Sequence, residues 1–568
     1  MYQEKNESLL TPRLMSNKYT RREMLALTGQ ALAAGALGSR FCLAAEEESP
    51  TEDQAEGRFG AVAGHAMAAK IGREVLTNGG NAVDAAVAAA LTACVVTPTR
   101  CGIGGYGGHL TLALAGGRKV TSIDFNTMAP AAARQDMYPL DEQGEVKERV
   151  NFHGWLAAGV PGILAGLQLA LHRYGTRSFR ELAQPAIELA RNGFTVTEGF
   201  ARSIRGALAR FRNDPGSAKL YLIDGEPPKA GDLHRNPELA DLLATLAKRN
   251  SVDSFYRGDI AQRVAEAFQK NGGLVTAKDM AAYKAREMKP LQMKWKNCAV
   301  HTAPLTAGGL TVLEALSILK ALGWDGLHPS PAAAHAWLEA LRVAWHDRLR
   351  WLGDPEKVKV PVSRLLSTGY AREEATKIKA AVKATRPLDI EGQDVLEEEG
   401  TVNISSVDRR GNMVAMTLTH GGTFGAQITV DGLGLTLGHG MSRFRPQPGH
   451  PNAPGPGKRP LNNMCPSVVL RDGKPVLALG GAGGLRIPNG IYAVLTHCLE
   501  RGEPMTEAVA APRLHCTGTL DVSVERSWPK AEADYLAQIG FAVRNGTVAH
   551  LSAVSFNPQT GECRGVMR

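Results

Sequence analysis

A chain of 568 residues, 44% hydrophobic and 21% charged, carries enough apolar content for a large core and is not an intrinsically disordered protein. The net charge of +9 would suit a nucleic-acid binder, but residues 1–45 hold six Lys/Arg against three Asp/Glu and the remaining excess is scattered, with no basic block interleaved with aromatics. Nucleic-acid recognition is therefore not expected. Nor is metal chemistry, because the fifteen histidines form no H-E-x-x-H grouping and the eight cysteines (42, 94, 101, 298, 465, 498, 516 and 563) form no C-x-x-C pair.

The N-terminus reads as a leader. Thr20-Arg21-Arg22-Glu23-Met24-Leu25 is a twin-arginine pattern, a weakly apolar run follows from Met24 to Gly38, and Ala44-Ala45 offers a small-residue cleavage site. Export in folded form, to the periplasm or beyond, is the expectation for residues 1–45. No stretch is apolar for long enough to predict a stable membrane insertion.

Helical segments are predicted at Met67–Thr77 and Ala82–Val95, joined by Asn78-Gly79-Gly80-Asn81. Gly102-Ile103-Gly104-Gly105-Tyr106-Gly107 satisfies the dinucleotide pattern G-x-G-x-x-G literally. That pattern should follow a strand and open a helix, whereas here a strand, His109–Leu114, comes after it. The glycines are better suited to letting backbone pass close to a neighbouring sheet or to substrate. Residues 155–350 read as mostly helical, with segments at Leu164–Tyr174, Phe179–Asn192, Asn236–Arg249, Ala261–Lys270, Leu310–Leu322 and His335–Leu352. Trp337, Trp345 and Trp351 on the last of these are read as core.

The chain turns on the stretch Gly400–Gly425. An acid-rich linker from Asp389 to Glu399 ends at Gly400, a strand is predicted over Thr401–Val407, a turn over Asp408–Asn412 and a second strand over Met413–Thr419. Read plainly, this is a surface loop entering a hairpin. Read chemically, the Gly400–Thr401 bond is a self-cleavage site. Its scission would free Thr401 as an N-terminal nucleophile whose own α-amino group, titrating near pH ~8, serves as its base. Downstream, Pro466–Leu470 and Pro475–Leu479 form another strand pair. The second strand runs into Gly480-Gly481-Ala482-Gly483-Gly484 and a helix starting near Pro488. The loop lacks the Lys-Ser/Thr of a phosphate cradle, while its bare N–H groups suit an oxyanion hole.

The hairpin resembles the γ-glutamyltransferase family of N-terminal-nucleophile (Ntn) hydrolases, which cleave themselves before a catalytic threonine. The resemblance continues in NGGNAVDAAVAAAL (78–91), DFNTMAP (124–130), NGGLVTAKDMAAYKA (271–285), WLGDPEKVKVP (351–361) and PGKRPLNNMCPSVVLRDGKPVLALGGAGGLRIPNGI (456–491). It implies an αββα four-layer sandwich built jointly by a large subunit, 46–400, and a small subunit, 401–568, with no cofactor. It also implies Thr401 as nucleophile, Thr419 as its assisting threonine, and Gly483 and Gly484 as oxyanion donors. The donor would be a small-molecule amide and the acceptor water or an amine.

The acyl pocket departs from the pattern. Where the family has an arginine for the α-carboxylate, this chain has Asn126, and where it has an acid for the α-amino group, Arg443. The amide-bearing helpers of the amino end are matched by Gly421 and Gly440, and a serine pair by Asn462-Asn463. Three readings follow: an enzyme acting on γ-glutamyl amides such as glutathione; a family amidase with a carboxylate-bearing, non-glutamyl acyl group of glutaryl or oxamate type; and a scaffold without activity.

Overall fold

The computed structural model describes residues 59–323, 330–393, 395 and 400–568. The leader expected over residues 1–45 lies outside them, as does most of the run just before Gly400. Twelve strands form two six-stranded sheets: β1 (Gly60–Ala63), β2 (Gly107–Leu114), β3 (Lys119–Asp124), β4 (Arg286–Met288), β5 (Leu291–Trp295), β6 (Cys298–Thr302), β7 (Thr401–Asp408), β8 (Met413–Thr419), β9 (Ser467–Arg471), β10 (Lys474–Ala482), β11 (His550–Phe556) and β12 (Cys563–Met567). The first sheet has the order β1-β7-β8-β2-β3-β4 and the second β12-β11-β10-β9-β6-β5, with antiparallel neighbours throughout.

Side-chain alternation explains the layering. On β7 and β8, Val402, Ile404, Val414, Met416 and Leu418 pack against helices α1 (Ala66–Thr77), α2 (Ala82–Val96) and α3 (Ile163–Tyr174). The intervening Val407, Met413 and Ala415 instead meet Val468, Leu470, Ala478 and Val554 of the other sheet. That sheet's far face, with Val300, Leu477, Leu479 and Leu551, is covered by α4 (Gly309–Ala321), α5 (Pro331–Trp351) and α6 (Arg486–Thr496). The result is helix, sheet, sheet, helix: the αββα sandwich.

Helix α2 shows how the sequence permits this. All 15 of its residues are buried, and its alanines let it lie close to β7 while other helices cover its back. A capping box between Asn81 and Asp84 starts it, and the Asp84 carboxylate also binds the N–H groups of Thr176 and Arg177.

Two expectations need correction. Residues 286–302 contain three strands inside the stretch read as mostly helical; they are short, and β5 alternates between half-buried and exposed positions. The helix predicted over Phe179–Asn192 is two, Phe179–Leu182 and Gln184–Asn192, because Pro185 sits in the first turn of the second and cannot donate back across Ala183. Trp337 and Trp345 are core, while Trp351 is half-buried with the Arg350 guanidinium over its ring. The seven cysteines among the described residues are free thiols. No helix among them is long and apolar enough to cross a membrane.

Candidate active site

The β7–β8 register pairs Thr401 directly with Thr419. Both side chains lie on the face turned toward the second sheet, because the alternation that sends Val402 and Leu418 to the helices sends 401 and 419 the other way. Their hydroxyl oxygens are 3.0 Å apart. The Thr419 hydroxyl donates to the carbonyl oxygen of Gly400 and accepts from the Gly421 N–H at 2.7 Å. Its single proton is thereby spent, so the Thr401 hydroxyl is the donor between the two threonines. The Gly421 N–H also reaches the Gly400 carbonyl oxygen at 3.3 Å. The carbonyl before Thr401 thus lies under two donors. Position 400 admits no side chain, since a Cβ there would come within 2.6 Å of the Gly422 carbonyl carbon.

The glycine run of residues 102–107 passes alongside this pair. Gly107 pairs with Thr419, and a Cβ on Gly105 would lie 2.7 Å from the Thr419 carbonyl oxygen. Close backbone approach is thus its role, as expected.

Strand β10 of the other sheet packs against β7. Asn403, two residues from Thr401 along the same face, hydrogen-bonds Thr417 Oγ1 (2.7 Å) and Ser552 Oγ (2.9 Å). Its amide nests against Gly480, where any Cβ would overlap it. Three residues further on, Gly483 and Gly484 turn the chain into α6 with φ of 122° and 58°, both in the left-handed region that favours glycine. The Gly483 carbonyl accepts from Arg486 N–H at 3.0 Å, so the N–H on the opposite edge of that planar peptide, belonging to Gly484, points away from the helix. A donor held so, at a helix N-terminus, suits a developing negative charge.

Asn126 is fully buried. Its Nδ2 donates to Thr306 Oγ1 (2.8 Å) and the Pro460 carbonyl (2.7 Å), while its Oδ1 has no hydrogen-bond partner among the described residues. Its N–H binds Asp124, whose carboxylate also meets Arg459 at 3.0 Å and Arg286. Burial alone would raise the Asp124 pKa; the Arg459 guanidinium, with His109 and Arg286 behind it, holds the carboxyl well below the usual range. This ion cluster staples the segment 458–460 onto 124–126. Asn462 spends its side chain on His109 (2.9 Å) and the Met464 N–H (3.1 Å). Asn463 receives a hydrogen bond at 3.1 Å from Arg348, whose same nitrogen binds the Asn462 carbonyl at 2.6 Å.

Arg443 lies at the end of the 3-10 turn Gly440–Arg443 and donates to the Gly421 carbonyl at 2.9 Å, two residues from Thr419. The residue is half-buried, with one guanidinium nitrogen committed to that carbonyl. Gly421 and Gly440 have no room for side chains. A Cβ on Gly421 would overlap the His439 imidazole and lie 3.1 Å from the Tyr106 ring; one on Gly440 would lie 2.5 Å from Thr127 and 2.8 Å from Tyr106. Burial, reinforced by Arg443, lowers the His439 pKa well below its ordinary value, so the imidazole is neutral at physiological pH.

Asn403, Tyr106, His439 and Arg348 are not among the candidate site residues that the sequence points to. Period-two alternation could have found Asn403, which shares a face with Thr401. Tyr106 stood inside the glycine run. His439 and Arg348 reach the site only through tertiary contacts and gave no local signal.

Comparison with known proteins fits this architecture. The family model described as gamma-glutamyltranspeptidase matches residues 68–567. The glutathione hydrolase proenzyme of Escherichia coli (strain K12) is 37% identical over 469 residues, covering 79% of each chain. Acylase ACY 1 proenzyme of Pseudomonas sp. (strain SE83) is 33% identical over 507 residues, covering 88% of this chain and 89% of its own. The crystal structure of cephalosporin acylase from Bacillus halodurans superimposes with a TM-score of 0.79 at 27% identity, covering 89% of this chain and 93% of that one. With the sandwich, the threonine pair and the matched length agreeing, the chain belongs to the gamma-glutamyltranspeptidase family of Ntn-hydrolase enzymes.

Proposed function

We propose that this protein is a self-processing amidohydrolase or acyltransferase that cuts its own Gly400–Thr401 bond and then carries acyl groups on Thr401. The carrying observation is the hydroxyl pair at 3.0 Å, with Thr419 donating to the very carbonyl that must be attacked. In maturation, Thr401 Oγ1 adds to the Gly400 carbonyl carbon and its proton passes to the departing amide nitrogen. The resulting ester is hydrolysed to a Gly400 carboxylate and a free threonine. The products would be 401–568 and a larger N-terminal piece, from about residue 46 if the twin-arginine leader is removed on export.

In turnover the free α-amine accepts the proton of Thr401 Oγ1 as that oxygen attacks the donor amide, and returns it to the leaving amine. The oxyanion is received by the glycine loop at 483–484. Water or an amine acceptor then releases the acyl group. No cofactor is needed for these steps. Because the base must be neutral, kcat/KM is expected to rise with pH and level off above the amine's titration, near ~7.7–8.0. A profile flat from pH 5 to 9 would argue against the amine as base.

Two donor classes are compatible with the family. The 37% identity to a glutathione hydrolase favours γ-glutamyl amides such as glutathione. The similarity to two acylases, with glycine at 421 and 440 and Arg443 bound to the Gly421 carbonyl, favours an acyl group other than γ-glutamyl. The direct test of the proposal is N-terminal sequencing of a small chain from the purified protein. It should begin Thr401-Val402-Asn403, and an active protein that remains one chain would overturn the proposal. Thr419→Val should slow processing by about a hundred- to a thousandfold, the usual cost of one lost donor to a reacting carbonyl, and should also slow turnover because the Thr401 hydroxyl loses the partner that orients it. A time course on denaturing gels reads the first effect and steady-state kinetics the second.

A further inference from the structure

We infer that Asn403 is a positioning residue that fixes how Thr401, on one sheet, stands relative to the glycine loop at 483–484, on the other. The inference rests on the Thr401 reading and adds what keeps its two halves in register. Strand pairing brings four positions together. On β7 and β8 the pair that follows Thr401–Thr419 on the same face is Asn403–Thr417; on β10 and β11, Gly480 pairs with Ser552. The Asn403 carboxamide spans the two pairs. It shares a hydrogen bond of 2.7 Å with Thr417 Oγ1 in its own sheet and one of 2.9 Å with Ser552 Oγ across the gap. Its flank rests on Gly480, where a Cβ would lie 2.0 Å from the amide Oδ1 and 2.6 Å from Cγ. Ser405, next along that face, donates to the Ser552 carbonyl at 2.9 Å and adds a second tie between the same strands.

Further along the same two faces the seam is apolar, with Val407, Met413 and Ala415 against Ala478 and Val554. Asn403, Ser405, Thr417 and Ser552 are all buried, so this polar bridge is satisfied only while both sheets hold it. Apolar faces can slide by small amounts at little cost, whereas a carboxamide bonded from both sides has one geometry. Its place decides what that geometry controls. Asn403 is one side-chain repeat, about 6.8 Å, from Thr401. On β10 the same step from Gly480 reaches Ala482, the last residue of the strand, and Gly483 and Gly484 follow at once. A shift between the sheets at Asn403 would therefore displace the nucleophile relative to the Gly484 N–H. It would leave the Gly400 carbonyl with its own donors, because Thr419 and Gly421 both belong to the hairpin side. Asn403 is thus expected to govern turnover and not maturation.

Two single variants of the full chain disturb the bridge from opposite ends: Asn403→Ala removes the amide, and Gly480→Ala drives a methyl group into it. Neither alters Thr401, Thr419 or the loop glycines. Both should cut themselves before Thr401 at close to the wild-type rate, read on denaturing gels. Turnover is read per processed chain with γ-glutamyl and glutaryl p-nitroanilides, and with p-nitrophenyl acetate, which needs no particular acyl pocket. In both variants kcat should fall by about ten- to a hundredfold with KM little changed, the cost of misplacing a reacting group by up to about 1 Å. In the double variant Asn403→Ala/Gly480→Ala the methyl group occupies the space the amide has left, and kcat should recover at least about fivefold over Gly480→Ala alone. An unchanged kcat in both single variants, whatever their melting temperatures, overturns the inference, because the bridge would then serve stability alone. So does a raised KM with kcat preserved, or a double variant no faster than Gly480→Ala. Single variants that melt cooperatively yet fail to process also overturn it, since the bridge would then act on the hairpin itself. An uncut wild type, or a cut one inactive on all three probes, overturns the Thr401 reading and the inference with it, and shows before any variant is made.

Discussion

Thr401→Ala is expected to accumulate as one uncut chain with no measurable turnover. The substitution removes the atom that attacks Gly400 in maturation and the donor amide afterwards, so both activities are lost together. Loss of an enzyme's nucleophile reduces turnover by a factor on the order of 10⁶, judged from serine hydrolases. Folding should survive. Thr401 is buried, but the Thr419 hydroxyl keeps its hydrogen bonds to the Gly400 carbonyl and the Gly421 N–H, so no partner is stranded by the loss of the Thr401 hydroxyl. The stability cost should therefore stay within about 1–2 kcal/mol. Denaturing gels and a thermal melt together check this. A Thr401→Ala protein that still separates into two chains would place the cleaving nucleophile elsewhere. Thr401→Ser, which keeps the hydroxyl, should restore both processing and turnover to a lower level.

That prediction was legible in the sequence because its geometry is local. A tight turn between two alternating strands fixes the register, and the register alone puts Thr419 opposite Thr401. The same holds for α2, whose cap and alanine run are contiguous, and for the glycine run at 102–107, dismissed as a nucleotide site because a strand follows it. The surroundings of the threonine pair were legible only in part. The residues at 421, 440 and 443 could be matched to a family pattern, but what fills the space beside two glycines is not written next to them. Gly421 is filled by His439, 18 residues on, and by Tyr106, more than 300 residues back. Arg348 reaches Asn462 and Asn463 from α5. Asn126 was expected to face substrate, yet its amide nitrogen is committed to Thr306 and Pro460, a pairing that depends on two distant loops meeting. Strands β4, β5 and β6 were missed for a different reason: runs of three to five residues, of which only β5 alternates in exposure, cannot be distinguished from an irregular connection by periodicity.

Gly484→Val should separate maturation from turnover. In the uncut chain the Gly400 carbonyl is polarised by the Thr419 hydroxyl and the Gly421 N–H, both on the hairpin side, and processing draws on those donors. Turnover begins from a free Thr401, and the donor's developing oxyanion is assigned to the glycine loop after β10. At Gly484 the φ of 58° would put valine's branched Cβ in a left-handed conformation, costing roughly 1–2 kcal/mol or more, and relief comes by turning the peptide whose N–H is the donor. Loss of that donor should lower kcat by about a hundred- to a thousandfold. Gly483→Val should act similarly: its φ is 122°, and the added Cβ would sit 3.2 Å from the Ala549 Cα. Both variants should still yield two chains, with the small one beginning at Thr401, because the strands that align Thr401 with Thr419 are untouched. Near-wild-type kcat in both would place the oxyanion donors elsewhere. Failure of both to process, in proteins that otherwise melt cooperatively, would mean that the loop serves the Gly400 carbonyl as well, and that one set of donors is used twice.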